Sequence, residues 1–378
     1  MTSDKQHATS DYSPGLEGVV AGETAISTVE TGLTYRGYAI EDLAAHSTYE
    51  EVAYLILYGE LPTAKQAAGF RQRLGAAAVV PAEVIETIRH IPASVPTMDI
   101  LRSAASLLAH WEPESADNSH DANVRKTERL LAKIPVIVAA RQRLKTGQEP
   151  VAADPALTLP ANLIWMVRGQ KPSAKQVQAM DVSLILYAEH EFNASTFSAR
   201  CVVSTLSDLH SGITAAIGAL KGPLHGGANE AAMSVLEEVG KVERAEPWVR
   251  QALAAKQKIM GFGHRVYKDG DPRAIYLKKL TAAVAAETGH QDMERMADII
   301  ETIVWNEKRI PPNVDWPCAR LYHYFGLPKD LYTPLFVVAR VIGWSAHIIE
   351  QLDHNRIMRP RAIYKGSAVR RWKPVGER

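Results

Sequence analysis

Two short loops hold histidines in settings that suit acid–base chemistry. In KGPLHGGANEAAM, residues 221–233, His225 precedes two glycines and a helical run. Gly226 and Gly227 have no side chain and tolerate unusual dihedrals, so a ligand could approach the histidine closely. A histidine near a helix N-terminus feels positive potential, which favours neutral imidazole, a hydrogen-bond donor to a developing oxyanion. The plainer reading is a turn histidine that caps the chain. In MGFGHRVYKDGDPR, residues 260–273, His264 follows a Gly-x-Gly loop and Arg273 follows an Asp-Pro turn. A histidine and an arginine on one loop suit an anionic carbonyl substrate, one giving a proton and the other pairing with a carboxylate. A surface loop with solvated charges is the alternative. Val266 stands where a dinucleotide fingerprint needs its third glycine, and no Gly-Lys-Ser/Thr follows to make a phosphate-cradling loop.

Further candidates lie near the helices. In PPNVDWPCARLYHYFG, residues 311–326, two prolines fix an extended approach and Asp315 sits just before a helix; it reads as a catalytic carboxylate or as an ordinary helix N-terminal charge. Arg340 lies inside the apolar run LYTPLFVVARVIGWSAHIIEQL, where an unpaired guanidinium is expensive, so a carboxylate from protein or ligand is expected beside it. His190, in LYAEHEFNASTF, ends an apolar run and reads as a ligand-facing or a core histidine, with Asn193 and Thr196 as a polar cluster or cap. HEFNA lacks the second histidine of a zinc-protease helix, so no metal is assigned. Arg359 and Arg361 flank Pro360 in an extended basic segment. No nucleophile elbow occurs, and neither Cys201 nor Cys318 sits in a basic, glycine-rich setting. Two loop histidines, one aspartate and several arginines suit acid–base chemistry on a small polycarboxylate.

The elements that must position these residues are mostly helices. Gly15–Ile40 mixes β-branched residues with glycine turns, which predicts short strands or hairpins. Beyond it, Ser47 with Glu50, Thr63 with Gln66 and Ser173 with Gln176 have capping-box spacing before apolar-periodic runs. No strand–helix alternation supports a doubly wound sheet. The 378 residues are enough for two domains, and 46% hydrophobic content is that of a globular protein. With 43 basic against 42 acidic residues, no global field draws nucleic acid or an anionic membrane. Two distant cysteines argue against a disulfide framework and for a reducing compartment. The polar N-terminus has no apolar core of a signal peptide, so a cytoplasmic location is expected. Residues 1–13 read as loose and the basic tail as a surface arm.

Taken together, HEFNASTFSAR, GPLHGGANE, GFGHRVYKDGDPR, PPNVDW, LFVVARVIGWSAHIIEQ and RIMRPRAIYKG resemble, in order and spacing, the citrate synthase family, from about Gly15 to Gly366. The resemblance implies a mainly α-helical, two-domain homodimer with a short N-terminal β segment. Residues 1–222 and 327–378 would form the large domain and residues 223–326 a small domain that closes over the substrates. It implies Asp315 as the base that deprotonates the acetyl-CoA methyl group. His225 would stabilise the enolate, and His264 would protonate the oxaloacetate carbonyl. His190, Arg273 and Arg340 match dicarboxylate-binding positions, and Arg359 matches an arginine supplied by the partner subunit. The backbone of Lys258, Ile259, Met260, Gly261 and Phe262 matches a coenzyme A contact. No tightly bound cofactor is implied; coenzyme A enters as cosubstrate and leaves as product. Trp316-Pro317-Cys318 departs from the Phe or Tyr and small residues common after the base, which bears on the acyl pocket. The chain resembles the short dimeric form rather than the NADH-inhibited type. Three functions are consistent with it: citrate synthase; 2-methylcitrate synthase, using propionyl-CoA; or a non-catalytic CoA-binding or assembly member.

Overall fold

The computed structural model describes residues 12–378 except 31, 265, 266, 268 and 269. The expected loose N-terminus and Val266 therefore fall largely or wholly outside the described residues. The predicted β segment is present but minimal. Strands β1 (Ser27–Thr28), β2 (Thr34–Tyr35) and β3 (Tyr38–Ala39) form an antiparallel sheet in the order β1-β2-β3, with Ser27 opposite Tyr35 and Tyr35 opposite Tyr38. Strands this short do not hold on their own and depend on packing. Tyr35 supplies it: the ring is buried, and its hydroxyl donates to the carbonyls of Ile185 and Glu189, each at 3.0 Å. The sheet is thereby fastened to the chain just before His190.

The rest is helical, as the residue pattern predicts. Sixteen α-helices occur among the described residues: α1 (Ile40–His46), α2 (Tyr49–Tyr58), α3 (Ala64–Ala77), α4 (Ala82–His90), α5 (Thr97–Leu107), α6 (His120–Lys145), α7 (Leu159–Arg168), α8 (Ala174–Tyr187), α9 (Ala194–Val203), α10 (Leu209–Leu220), α11 (Ala228–Val239), α12 (Val242–Ala254), α13 (Pro272–Thr288), α14 (Gln291–Lys308), α15 (Asp315–Tyr324) and α16 (Tyr332–Asp353). Thr63 with Gln66 and Ser173 with Gln176 form the expected capping boxes on α3 and α8. On α2 the box is shifted by one residue: Thr48 caps and Glu51 reciprocates. Glu50 is engaged elsewhere, accepting from the Leu159 amide at 2.8 Å and from Arg71 Nε at 2.6 Å.

Helix α16 is long and apolar enough to span a bilayer, yet most of it is buried inside the molecule. It packs on α2, α6, α8, α9 and α10, which makes it the spine of one group of helices. Helices α11 to α15 pack chiefly on one another. Contacts of α13 with α8 and of α11 with α16 join the two groups, and the candidate residues other than Arg359 gather near that seam.

Candidate active site

Asp315 is the first residue of α15, so the helix begins one position earlier than the sequence pattern predicts and the aspartate lies inside its first turn. Its amide donates to Asn313 Oδ1 at 3.1 Å. One carboxylate oxygen, Oδ1, accepts from the Tyr187 hydroxyl at 2.5 Å. Burial pushes the Asp315 carboxyl above the usual range, with the Tyr187 hydrogen bond and the Arg273 charge pulling the other way. The backbone carbonyl of Tyr187 in turn accepts from Arg340 Nε at 2.5 Å. Arg340 is 2% exposed and lies 4.7 Å over the Phe336 ring. The expected protein carboxylate does not pair with it directly among the described residues; the nearest anionic influence is Glu189, itself engaged with His347 Nε2 at 3.0 Å. No partner among the described residues takes the terminal nitrogens of Arg340.

His225 sits two residues before Gly227, the N-cap of α11. Its Nε2 lies 2.8 Å from Ser195 Oγ, which also accepts from Trp344 Nε1 at 3.0 Å. Ser195 Oγ also lies 2.6 Å from Asn193 Oδ1, the oxygen that caps α9 through the amides of Ser195 and Thr196. The serine has one proton to place. In this structure it goes to Asn193 Oδ1, so His225 Nε2 is the donor to the serine oxygen; turning the hydroxyl to Nε2 instead would move the imidazole proton to Nδ1, the tautomer able to donate to a ligand. Burial and then the Arg340 charge lower the imidazole pKa to about 4, so His225 is neutral at neutral pH. Gly226 has a different purpose from the one its sequence setting suggests. A Cβ there would lie 2.3 Å from the Leu220 carbonyl, so glycine is needed to seat the loop on the end of α10.

His264 and His190 face each other, ring centroids 5.5 Å apart. His190 Nε2 is buried with no hydrogen-bond partner among the described residues, and burial first, then Arg273 and Arg340, hold its pKa well below the ordinary value. An orphaned ring nitrogen beside two guanidinium groups is a polar group waiting for a ligand. The His264 ring nitrogens face the Tyr267 amide at 3.2 Å and Arg273 Nη2 at 3.3 Å. Arg273 is anchored by Asp271, which accepts from Nε and from Nη2, each at 2.9 Å. Asp271 also accepts from the Val314 amide at 3.0 Å, linking this loop to the residue before Asp315.

A second link runs alongside. The amide of Gly263 donates to Pro311 O at 2.8 Å, that of Asn313 donates to Gly261 O at 2.9 Å, and Asn313 Nδ2 donates to Gly263 O at 2.9 Å. Gly261 has φ +90°, and a Cβ there would lie 2.8 Å from the Trp316 ring. Within the run 258–262, therefore, the Gly261 carbonyl is taken and Ile259 and Phe262 are turned inward. Trp316 packs on Phe262 and donates to Glu301 Oε1 at 2.9 Å. The unusual tryptophan is thus built into the α14–α15 packing. Cys318 is the buried neighbour behind Asp315, beside Tyr322, Asn229 and Tyr187.

One contact network therefore joins Asp315, Tyr187, Arg340, Phe336 and His225 on one side and His264, His190, Arg273 and Asp271 on the other. Arg359 is not in it. It is exposed and lines a separate cleft of ≈ 1220 Å³ with Gly22, Arg36, Arg200, Glu350 and Arg356.

Comparison with known proteins decides the family. The family model described as "Citrate synthase, C-terminal domain" matches residues 15–361. The chain belongs to the citrate synthase family. Relatives carry two activities by name. Citrate synthase 2 of Bacillus subtilis is 48% identical over 96% of this chain and 98% of its own. The 2-methylcitrate synthase of Shewanella oneidensis is 44% identical over 96% of this chain and 97% of its own. Among solved structures, citrate synthase from Thermoplasma acidophilum, in a ternary complex with carboxymethyl coenzyme A and oxaloacetate, superposes with a TM-score of 0.91. It is 34% identical and the match covers 98% of this chain and 100% of that one. Citrate synthase from Pyrobaculum aerophilum gives 0.90 at 38% identity, covering 97% and 95%. The chain is accordingly an acyltransferase of the citrate synthase type.

Sequence reasoning missed the residues that hold the candidate catalytic groups of this family member: Tyr187, Ser195, Asn229 and Trp344. Tyr187 ends an apolar run and reads as core; only the fold brings its hydroxyl to Asp315. Asn193 gave the one usable signal, since its cap on α9 also places Ser195.

Proposed function

We propose that this chain condenses acetyl-CoA with oxaloacetate and hydrolyses the resulting citryl-CoA to citrate and CoA. The observation that carries the reading is the single network joining Asp315, His225 and His264 around a His190 nitrogen with no partner among the described residues, the terminal nitrogens of Arg340 and an Arg273 guanidinium held in place by Asp271. Asp315 takes a proton from the thioester methyl carbon, and the electron pair moves toward the thioester oxygen. With the Ser195 hydroxyl turned from Asn193 to its Nε2, His225 donates through Nδ1–H to that oxygen as charge develops there, the place where preorganised donors act most strongly. The enolate carbon attacks the keto carbon, whose oxygen receives a proton from His264. His190, Arg273 and Arg340 bind the dicarboxylate, and the 258–262 backbone contacts coenzyme A. Closure of residues 223–326 over the cleft excludes water during condensation.

Acetyl-CoA is the proposed donor because the 48% identical relative is named a citrate synthase. Propionyl-CoA is the second reading, favoured by relatives named 2-methylcitrate synthase at 42–44% identity. One methylene alters binding by about 1–3 kcal/mol, so both donors are expected to turn over. The test is CoA release with oxaloacetate, comparing kcat/KM for the two thioesters. A higher value for propionyl-CoA overturns the acetyl assignment, and no release from either overturns the enzyme reading.

The reading also takes a second copy of the chain as partner, in a cytoplasmic setting that suits two free cysteines. The extended tail exposes Ile357, Ile363, Tyr364, Val369 and Trp372, apolar groups that a dimer would cover. In that dimer Arg359 enters the site of the partner. Chains bearing Arg359→Ala mixed with chains bearing Asp315→Asn are expected to regain activity above either alone. Mixing that recovers nothing counts against a shared site.

A further inference from the structure

We propose that Tyr187 is the positioning residue for the base Asp315: it occupies Oδ1 and so presents Oδ2 to the carbon acid. The proposal rests on the condensation chemistry given above and adds a residue to it. Three elements fix the phenol. Tyr187 is the last residue of α8, its ring packs against Phe336 of α16 with centroids 4.5 Å apart, and its oxygen receives Asn229 Nδ2 of α11 at 3.2 Å. With the acceptor side of the oxygen taken by an amide, its single proton is directed to Asp315 Oδ1, 2.5 Å away. Tyr187 is the one side-chain donor to that carboxylate among the described residues, so Oδ2 has no competing partner.

The phenol cannot act as a base itself. Burial, and then the charge of Asp315, raise its pKa well above the ordinary tyrosine value, so it stays a donor throughout the working pH range. Its donation favours the charged carboxylate and opposes the burial that pushes Asp315 up. Removing the hydroxyl therefore raises the pH below which the base is protonated and lost. A residue that merely filled space would change rate or stability and leave that pH in place.

The experiment measures kcat/KM for acetyl-CoA against pH, at saturating oxaloacetate, for wild type, Tyr187→Phe and Asn229→Ala. In Tyr187→Phe the acidic limb is expected to move up by roughly one pH unit. kcat at neutral pH should fall about tenfold or more, with KM for oxaloacetate within twofold of wild type. Asn229→Ala should move the limb in the same direction by less, and it carries the test if Tyr187→Phe fails to fold. A limb that stays put in both variants overturns the proposal whatever happens to the rate. Titration of the Asp315 carboxyl carbon by NMR separates this proposal from the condensation reading, because it needs no turnover. An upward shift in Tyr187→Phe supports the positioning role even if no CoA is released, and an unmoved titration sinks it even if the wild type is active.

Discussion

Asp315→Asn is expected to lower kcat by about 10²–10⁴-fold, the contribution typical of a positioned general base. The amide has nearly the same volume, and its oxygen can still accept from Tyr187, so the pocket keeps its shape. Only the ability to hold the abstracted proton is lost. The groups proposed to bind oxaloacetate, His190, Arg273 and Arg340, reach the site from other elements, so oxaloacetate affinity should stay within about threefold, an allowance of well under 1 kcal/mol. CoA release measures the first quantity and calorimetric titration with oxaloacetate the second. Turnover within tenfold of wild type would remove Asp315 from the base role, and loss of binding together with rate would point to a collapsed pocket.

A comparably large effect is expected on stability at Arg273. Its guanidinium and the Asp271 carboxylate are 4% and 1% exposed and are joined by two 2.9 Å hydrogen bonds. Burial alone would raise the Asp271 carboxyl, and Arg273 more than offsets this, holding it below the usual range. Arg273→Leu leaves that carboxylate buried without its cation, a change that costs about 3–5 kcal/mol. Urea unfolding checks it. Adding Asp271→Asn to the same chain should return a large part of the loss, because the stranded charge is gone. Oxaloacetate binding should remain weak in the double variant, since the cation facing the ligand is still missing. If Arg273→Leu costs less than 1 kcal/mol, the pair is not the buried bridge described here.

What the residue pattern could reveal, and what it could not, follows from the range of each interaction. Thr63 and Ser173 announce their helices because a capping box is local, closed within four residues. Ser47 and Thr48 are each followed three residues later by glutamate, so local spacing cannot choose between them. The choice is made by Leu159 and Arg71, which claim Glu50 from far along the chain. The same limit applies at the site. His225, His264 and Asp315 stand out as candidates because loops, glycines and a helix start mark them, and the fold brings the three into one network. Tyr187 does not stand out, since a tyrosine ending an apolar run has nothing local to separate it from core. Arg340 was half legible: the cost of a buried guanidinium was clear, but the partners are a backbone carbonyl and an aromatic face. Gly226 was noticed for openness, whereas the fold uses it for closeness to Leu220.

The ladder between residues 261–263 and 311–313, with Asp271 bridging to Val314, has a kinetic implication. In the proposed roles, the proton donor and the proton acceptor are both tied to this ladder, so a closing movement of residues 223–326 would carry them together. Such a movement would change their distance to the groups on the opposite wall, including the phenol proposed to aim the acceptor, and a single displacement would bring both ends of the proton traffic into register.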